Sequence, residues 1–388
     1  MTPAARLQAA IECLDTIIAA SRQRGAPADR LIADYFRQRR YAGAKDRRAV
    51  RELVYSAIRA CGPVPASGRT AMLRLADLEP EIASLFDGSP HAPAPVQSDE
   101  CAAEGGIAPA WLAERLAASG INGDEAAAML GRAPLDLRVN TLKAQRDALD
   151  LPLTGEPLLA PDALRFPGGT AVEQWDAYTQ GLVEIQDHGS QWACAAVAAQ
   201  PGETVIDLCA GAGGKTLALA AMMENQGVLV ASDTDRRRLG QLPDRARRAG
   251  VVDVQAVLLD PDRELERLDA WRGQADAVLV DAPCSGTGTW RRNPELRWRL
   301  TSRALSQLAL LQSRLIGIAA ELLRPGGRLI YVTCSVLDEE GADQIATACT
   351  LRHMPLDLPI GRQRGGGTRL TPLHDGTDGF FIAQLCKP

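Results

Sequence analysis

Two cysteines stand just after apolar runs, in settings that suit covalent chemistry. Cys284 lies in DAPCSGTG (281–288), and Cys334 lies in YVTCS (331–335). A thiolate that adds to C6 of a pyrimidine makes C5 a better nucleophile, and the thiol must leave afterwards. Such chemistry needs a thiol of lowered pKa. Downstream of a glycine-rich loop, these thiols therefore predict covalent attack on a pyrimidine ring followed by release.

We place the two thiols at the ends of neighbouring strands, the fourth and fifth of a parallel sheet. Adjacent strands lie about 4.8 Å apart, and ligands of open α/β sheets bind at the carboxyl ends of the strands. Asp281 is then placed to meet the N3 and N4 edge of a cytosine. Most lone cysteines are inert small hydrophobes, a role that we assign to Cys13, Cys61, Cys194, Cys349 and Cys386.

A loop of small residues precedes the thiols. It reads DLCAGAGGKT (207–216) and links a strand to a helix. The spacing of its glycines excludes both a P-loop and the dinucleotide fingerprint. The remaining interpretation is a tight turn that lets the backbone approach a ligand at the carboxyl ends of the strands. The candidate contacts are Cys209, Ala210, Gly211, Ala212, Gly213, Gly214 and Lys215.

Two acids at strand ends extend this candidate pocket. Asp233 is placed to bind the two hydroxyls of a ribose, and Asp260 can accept a hydrogen bond from an exocyclic amine. With the loop, they predict a pocket for S-adenosyl-L-methionine, and a nicotinamide cofactor is the alternative. A tight turn without a ligand would account for the glycines alone.

The elements that must position these residues fall into three parts. Residues 1–130 show helical periodicity around a Pro- and Ala-rich loop at about 62–105. Residues 131–185 read as a small α+β connector. From 186 to 388 strands and helices alternate, which predicts an α/β domain with a parallel sheet covered on both faces.

Composition favours a cytoplasmic protein that binds no metal. The 388 residues include nine cysteines without a C-x-x-C pair and four histidines without metal spacing. Glu12 and Asp15 are unlike a signal peptide, and no stretch approaches the roughly 18 apolar residues of a membrane span. The sequence leaves the oligomeric state open, and a monomer is our expectation.

Charge is unevenly distributed along the chain. Residues 1–62 hold 12 Lys and Arg against 6 Asp and Glu, whereas the whole chain carries −5. A basic head suits docking of nucleic acid, and a solvated helical surface is the alternative. Residues 289–299 mix arginines with Trp290 and Trp298, which suits phosphate contact and base stacking. The alternative is that Trp298 lies in a core.

On these motifs, residues 186–388 resemble the catalytic domain of RNA cytosine-5 methyltransferases of the RsmB/Nol/Nop/Sun type. The matching segments are QDHGSQ (186–191), the glycine-rich loop, DAPCSGTG, TCSV (333–336) and DGFFIA (378–383). The head, with KDRRAVRELVY at 45–55, looks like a NusB-like RNA-binding module. The resemblance implies a class I methyltransferase fold, Rossmann-like with a seven-stranded sheet, behind a NusB-like helical domain and an RRM-like connector.

The resemblance also implies roles for individual residues. Cys334 would be the nucleophile and Cys284 would assist release of the product. The cofactor would be held by the 209–215 loop and by Asp233, Asp260 and Asp281, with Arg238 in support. The family loop commonly reads CAAPGGK, whereas this chain has Gly211 and Ala212, so that a proline restraint on φ is absent.

The implied function is methylation of cytosine C5 in structured RNA. Small-subunit ribosomal RNA is the first expectation for the substrate, and transfer RNA is the alternative. An inactive RNA-binding homologue and a DNA cytosine methyltransferase, in which Cys284 would attack, are further alternatives. An amino-methyltransferase would carry Pro-Pro-aromatic after Asp281, where this chain has Pro-Cys-Ser.

Overall fold

The computed structural model describes residues 1–23 and 25–388. Its α-helices in this part of the chain are α1 (Pro3–Arg22), α2 (Ala28–Arg37), α3 (Ala44–Ala60), α4 (Gly68–Leu78), α5 (Pro80–Ala83), α6 (Ala110–Ala118), α7 (Gly123–Ala128), α8 (Asp176–Thr179), α9 (His188–Val197), α10 (Gly214–Met222), α11 (Arg236–Leu239), α12 (Leu242–Ala249), α13 (Glu264–Leu268), α14 (Leu296–Arg299), α15 (Ser302–Leu322), α16 (Ala342–Thr347) and α17 (Pro372–Asp375). None of these helices is both long enough and apolar enough to cross a membrane.

The same residues form two sheets. The strands are β1 (Leu135–Val139), β2 (Glu156–Pro157), β3 (Ala163–Phe166), β4 (Val183–Ile185), β5 (Thr204–Asp207), β6 (Val228–Asp233), β7 (Val254–Leu258), β8 (Ala275–Asp281), β9 (Leu323–Thr333), β10 (Arg352–Met354), β11 (Arg362–Arg364), β12 (Gly367–Leu370) and β13 (Phe380–Cys386). Strands β1–β4 belong to the smaller sheet and the others to the larger one.

The chain forms two compact units, and each unit is built from two separate segments of the chain. The first unit contains Met1–Leu130 together with Trp290–Ser302, and the second contains Gly131–Thr289 and Arg303–Pro388. Residues 290–302, which we expected in the catalytic domain, therefore belong to the helical unit. The connector residues 131–185 belong to the second unit.

The first unit is a helical bundle with an apolar core. Helix α1 buries Leu7, Leu14 and Ile18 at helical spacing, and Val54 and Ile58 of α3 join them. The hydroxyl side chain of the N-cap of α1 accepts a backbone N–H, and α4 starts with a capping box. Periodicity and caps together explain why this part of the chain is helical. The loop that we expected at about 62–105 is therefore wrong for its first part, which forms α4 and α5.

The connector folds as a four-stranded antiparallel sheet in the order β2-β3-β1-β4. Its core includes Leu137, Val139 and Phe166. Glu184 of β4 is buried and pairs with Arg245 and Arg248 of α12, which fixes the connector sheet to the neighbouring helix of the second unit.

The larger sheet runs in the order β11-β12-β13-β9-β8-β5-β6-β7, and β10 pairs with β13. Strands β5 to β9 are parallel to their neighbours, whereas β13 is antiparallel to β9. The expected sheet of seven strands is thus extended to nine by β10 and β11, each of three residues. The predicted class I fold is confirmed.

Alternate residues of the parallel strands fill two cores. Val205, Leu279 and Ile330 belong to the core that contains residues of α9, α10 and α12. Ile206 and Val278 point to the opposite core, with residues of α13, α15 and α16. Because both faces are covered, the strands read as nearly continuous apolar runs, and the polar side chains gather at the strand ends.

Candidate active site

The two predicted thiols lie side by side at one edge of the larger sheet. Strands β8 and β9 are neighbours and end at Asp281 and Thr333, so that Cys284 and Cys334 follow parallel strand ends. The two sulfur atoms are 3.3 Å apart, and both side chains are partly exposed. A flat ring that approaches this edge can therefore meet both sulfurs.

The surroundings of Cys284 raise the pKa of its thiol. The hydrogen bond with Cys334 raises the pKa of Cys284 well above its ordinary value, and burial and the charge of Glu340 act in the same direction. Either sulfur can donate the hydrogen bond that joins the pair. The pair places one thiol within hydrogen-bonding distance of a second sulfur that can attack.

Buried hydroxyl groups fix the backbone around the thiols. The oxygens of Thr287 and Ser335 are 2.9 Å apart, and both residues are fully buried. The Gly288 N–H donates to the Cys334 carbonyl at 3.0 Å. These bonds join the loop of Cys284 to the loop of Cys334, so the short sulfur–sulfur distance has a rigid frame.

Two glycines allow a close approach of backbones next to this frame. The Gly379 N–H donates to the Gly288 carbonyl at 2.8 Å. A Cβ atom on Gly288 would overlap the carbonyl of Gly379. The glycines in the DAPCSGTG and DGFFIA segments are therefore explained by packing.

Glu340 is a buried carboxylate that sequence reasoning missed. Its Oε1 accepts the Ser285 N–H at 2.8 Å, and its Oε2 accepts the hydroxyl of the same serine. Gln312 also donates to Oε1, at 3.1 Å. Glu340 is the last residue of an acidic triplet, 338–340, which by composition reads as an exposed turn. Its position directly after the Cys334 motif is the only signal that the sequence offers.

The predicted cofactor loop makes a tight turn after β5. Gly211 and Gly213 have φ angles of 57° and 87°, in the left-handed region that favours glycine. The Gly211 N–H donates to Asp233 at 2.7 Å, and the other oxygen of that carboxylate accepts the Asp235 N–H at 2.7 Å. A Cβ atom on Gly214 would meet nothing within 4 Å, so the loop has an open side.

The remaining small residues of the loop serve its shape. Burial raises the pKa of Cys209 well above its ordinary value, so this thiol is not a rival nucleophile. Ala210 is buried, whereas Ala212 is partly exposed and accepts a hydrogen bond from Arg245 at its carbonyl, at 2.9 Å. The guanidinium of Arg238 lies against Gly211, where a Cβ atom would overlap it.

Lys215 and Asp281 form an ion pair of 2.6 Å between Nζ and Oδ2. Burial alone would lower the pKa of Lys215, but the charge of Asp281 and the hydrogen bond with it raise that pKa above its ordinary value. The lysine therefore stays charged and holds the Asp281 carboxylate, three residues before Cys284.

Asp260 follows β7 at the same edge, since the Leu259 N–H donates to the Asp233 carbonyl at 2.9 Å. Its carboxylate is largely exposed and pairs with Arg267 at 3.1 Å. The structure thus brings the loop, Asp233, Asp281 and Arg238 together through direct contacts, and Asp260 lies at the rim.

Asp207 is a second buried carboxylate that sequence reasoning did not single out. Its Oδ2 accepts the hydroxyl of Thr216 at 2.7 Å, and its Oδ1 has no hydrogen-bond partner among the described residues. Burial raises the pKa of Asp207 to about 7; Asp281 adds to this effect and Lys215 opposes it.

The residues at this edge fit S-adenosyl-L-methionine. The open side at Gly214 lets a ligand approach the loop backbone, and Asp233 presents a carboxylate that ends β6. The unpartnered oxygen of Asp207 shows that polar capacity remains inside the site. Hydroxyl and amine groups of a nucleoside are the donors that such carboxylates accept.

The tryptophan rings of the arginine- and tryptophan-rich segment 289–299 are buried and do not face the solvent. Trp290 and Trp298 are 0% and 5% exposed. The Trp298 indole donates to the Gly62 carbonyl at 3.2 Å, and the buried Arg297 donates to the Cys61 carbonyl at 2.6 Å. These donors satisfy carbonyls just after the end of α3. Base stacking by the two tryptophans is therefore wrong, and the alternative of Trp298 in a core is confirmed.

The histidine of the QDHGSQ segment has a structural role. The Nε2 of His188 accepts the Ala160 N–H at 3.2 Å and the Trp192 indole N–H at 3.0 Å, and burial lowers the pKa of His188. Among residues 1–23 and 25–388, no three His, Cys, Asp or Glu side chains are grouped so that they could hold a metal ion.

Comparison with known proteins bears on the catalytic half of the chain. Residues 194–386 match the family described as 16S rRNA methyltransferase RsmB/F. The match includes the cofactor loop and both thiols.

Two curated relatives carry the name ribosomal RNA small subunit methyltransferase B. The protein of Erwinia tasmaniensis is 37% identical over 265 residues, which cover 66% of this chain and 60% of the relative. The protein of Citrobacter koseri is 34% identical over 287 residues, which cover 72% of this chain and 66% of the relative. The matched region thus spans somewhat less than two thirds of the relatives' length.

Solved structures share the fold. The crystal structure of PH0851 has a TM-score of 0.74 and 26% identity, and the alignment covers 99% of both chains. A methyltransferase homologue protein from Pyrococcus horikoshii has a TM-score of 0.60 and 28% identity over 72% of this chain and 99% of that one.

Methyltransferases of the RsmB/F type use S-adenosyl-L-methionine, so the predicted cofactor is confirmed. The resemblance first seen in the short motifs is confirmed as well, because the family match and the relatives agree on it. This chain belongs to the RsmB/F family of methyltransferases.

Proposed function

We propose that this protein methylates C5 of a cytosine in small-subunit ribosomal RNA, with Cys334 as the nucleophile and Cys284 as the thiol that assists release. The observation that carries the proposal is the 3.3 Å contact between the two sulfurs, which follow the ends of the neighbouring strands β8 and β9. Such a pair suits a reaction that begins with the attack of one sulfur and ends with its departure.

The residues would act in a fixed order. The Cys334 sulfur adds to C6 of the cytosine, a C–S bond forms, and the electron pair of the C5–C6 double bond moves to C5. S-adenosyl-L-methionine, when bound at the 209–215 loop and Asp233, supplies the methyl group. A base, for which solvent water is available, then takes the C5 proton. The electron pair of the C5–H bond re-forms the C5–C6 double bond, the C–S pair leaves with the Cys334 sulfur, and Cys284 donates a hydrogen bond to that departing sulfur. The Asp281 carboxylate, held by Lys215, would accept a hydrogen bond from the N4 amine of the cytosine.

The family resemblance favours this assignment over the DNA-type alternative. In that alternative Cys284 attacks, but the hydrogen bond with Cys334, burial and the charge of Glu340 raise the pKa of Cys284, which opposes its attack. An inactive homologue has no need for two sulfurs held in contact by buried hydroxyl groups. The bisulfite experiment described below distinguishes transfer RNA from ribosomal RNA as the substrate.

RNA docking is proposed for the helical first unit, in line with its NusB-like sequence. Lys45, Arg47 and Arg48 lie exposed on α3, within the basic stretch 1–62. Exposed cations on one helix attract phosphate groups whatever the base sequence. The choice of nucleotide would then come from the shape of the RNA.

The roles of the thiols can be tested with RNA that contains 5-fluorocytosine, because fluorine at C5 cannot leave as a proton does. We expect wild-type protein to form a covalent adduct with this RNA that survives a denaturing gel. Cys334→Ala should form none, because the attacking sulfur is gone. Cys284→Ala on unmodified RNA should accumulate an adduct, because release is impaired.

Cys349→Ala is the matched control, since Cys349 is an exposed thiol outside both motifs. It should behave as wild type in both assays. An adduct formed by Cys334→Ala would refute the role of Cys334.

The substrate is identified by bisulfite sequencing of total RNA from cells with and without the gene. Methylation at C5 protects a cytosine from deamination by bisulfite. We expect one cytosine of the small-subunit ribosomal RNA to lose this protection when the gene is absent. Loss of protection in a transfer RNA alone would instead assign the alternative substrate.

A further inference from the structure

The buried carboxylate of Glu340 is hydrogen-bonded to Ser285, the residue that follows Cys284. Glu340 is 0% exposed, and it accepts both the backbone N–H and the hydroxyl of Ser285. Two hydrogen bonds to one residue fix both its backbone and its side chain. The position of Cys284, one residue earlier, is then restricted as well.

The same carboxylate belongs to a clamp around the Cys284 loop. The Gln312 side chain of α15 donates to Glu340 at 3.1 Å and to the Pro283 carbonyl at 2.9 Å. The clamp thus holds the residue before the thiol and the residue after it. Burial of Gln312 protects these bonds from competition with water.

Glu340 is also tied to the strand that carries Cys334. Its carbonyl accepts the Tyr331 hydroxyl at 2.8 Å, and Tyr331 lies in β9, three residues before Cys334. One residue therefore joins the two loops whose sulfurs are in contact.

The charge of Glu340 has neutral partners. No ion pair joins it to a cation in residues 1–23 or 25–388, and the donors to its carboxylate are the N–H and O–H groups of Ser285 and the amide of Gln312. Negative charge held close to a thiol opposes the loss of the thiol proton, and the pKa of Cys284 is raised in part by this charge.

We propose that Glu340 is a positioning residue that holds Cys284 against Cys334 and makes it competent to assist release. The inference rests on the proposed function, since release of a covalent adduct is the step that it assigns to Cys284. Glu340 acts on Cys284 through its hydrogen bonds with Ser285 and Gln312 and through its charge.

The first test compares Glu340→Gln with Glu339→Gln, which removes a neighbouring carboxylate that does not hold Ser285. With unmodified RNA, Glu340→Gln should accumulate a covalent adduct as Cys284→Ala does, and multiple-turnover kcat should fall by roughly 100-fold. The first turnover should be nearly unchanged, because attack by Cys334 is intact. Glu339→Gln should match wild type. A merely structural defect would slow both phases and leave no adduct.

The second test needs no RNA. The rate of alkylation of Cys284 by iodoacetamide is followed against pH by peptide mass spectrometry. In Glu340→Gln the rate profile should shift to lower pH by about one unit, a roughly tenfold faster reaction at a fixed neutral pH. A profile identical to that of wild type would overturn the inference.

The two tests separate the possible failures. If Cys284→Ala accumulates no adduct while the alkylation profile shifts in Glu340→Gln, the proposed function is wrong and the role of Glu340 toward Cys284 stands. If Cys284→Ala traps RNA but folded Glu340→Gln does not, Glu340 is not the positioning residue. Should Glu340→Gln fail to fold, Ser285→Ala removes the hydroxyl contact with Glu340, together with longer contacts of 3.4 Å to Thr287 and Ser335, and keeps the backbone contact with Glu340. Ser285→Ala should still raise the adduct several-fold, and a wild-type adduct level would refute the inference.

Discussion

At the scale of single residues, buried carboxylates make the protein respond to pH. Burial raises the pKa of Asp207 from 3.8 to about 7. Between these values the folded protein holds a proton that the unfolded chain has lost. The stability due to this group is therefore fully present below pH 3.8, declines as pH rises from 3.8 to about 7, and is lost above that pH. The charges that face Asp207 are those of Lys215, Asp281 and Asp233.

Asp207→Asn should remove this decline, because an amide carries no charge at any pH. We expect the free energy of unfolding of the variant to exceed that of wild type by roughly 1–3 kcal/mol at pH 8. The difference should shrink at pH 5. Urea unfolding at both pH values measures it, and a gain that is equal at the two pH values would contradict the raised pKa.

Gly211 is a residue where this chain departs from the common family loop, and the backbone gives the reason. Its φ of 57° is costly for alanine, by about 1–2 kcal/mol, and a methyl group would also overlap the Arg238 guanidinium. Gly211→Ala should therefore weaken binding of S-adenosyl-L-methionine by about tenfold in calorimetry.

Gly317→Ala is a suitable control for this substitution, since a Cβ atom on that helical glycine meets nothing within 4 Å. It should bind the cofactor as wild type does. Equal affinity of Gly211→Ala and wild type would show that the loop adapts to the family residue.

At the scale of elements, the basic face of α3 is open to a quantitative test. Replacing Lys45 and Arg48 by alanine should weaken RNA binding for all sequences alike, because the contacts expected there are with phosphates. A plot of the logarithm of the RNA-binding constant against the logarithm of the salt concentration has a negative slope, and its magnitude should decrease by roughly 1–2. Arg272→Ala, on the second unit, should leave the slope unchanged. An unchanged slope in the double variant would move RNA docking away from α3.

The elements that local pattern specifies were predicted from the sequence. Strands β5, β6 and β8 are buried apolar runs, and the thiols follow β8 and β9 in recognisable motifs. The resulting adjacency of Cys284 and Cys334 needed only the strand order of the fold.

What the sequence could not provide depends on tertiary packing. Glu340 belongs to an acidic triplet, and nothing in its composition distinguishes the one side chain that turns inward. Trp298 has the residue types of a stacking surface around it, yet it packs with the core of the first unit. In both cases the partner lies far away in the sequence, so local patterns carry no signal.

At the scale of the whole molecule, the chain crosses twice between its compact units. Residues 290–302 leave the second unit directly after the Cys284 loop, pack in the first, and return at α15. The catalytic unit is therefore not a simple C-terminal fragment.

A fragment of residues 131–388 should expose Trp290 and Trp298, which are buried in the intact chain. We expect it to associate on size-exclusion chromatography and to bind a hydrophobic dye more strongly than the full chain. The same fragment with 290–302 replaced by a Gly-Ser linker should lose the excess dye signal. A monomeric 131–388 fragment with no extra dye binding would contradict the burial of these rings in the first unit.

The 3.3 Å contact between Cys284 and Cys334 also makes the enzyme sensitive to oxidants. Hydrogen peroxide can convert one sulfur to a sulfenic acid, and the other thiol can then displace water and close a disulfide. We expect peroxide to abolish RNA capture, to lower the intact mass by two hydrogens, and to be reversed by dithiothreitol. Cys284→Ser should show no such bridge. A contact that we propose to serve catalysis would thus also tie activity to the oxidation state of these two sulfurs.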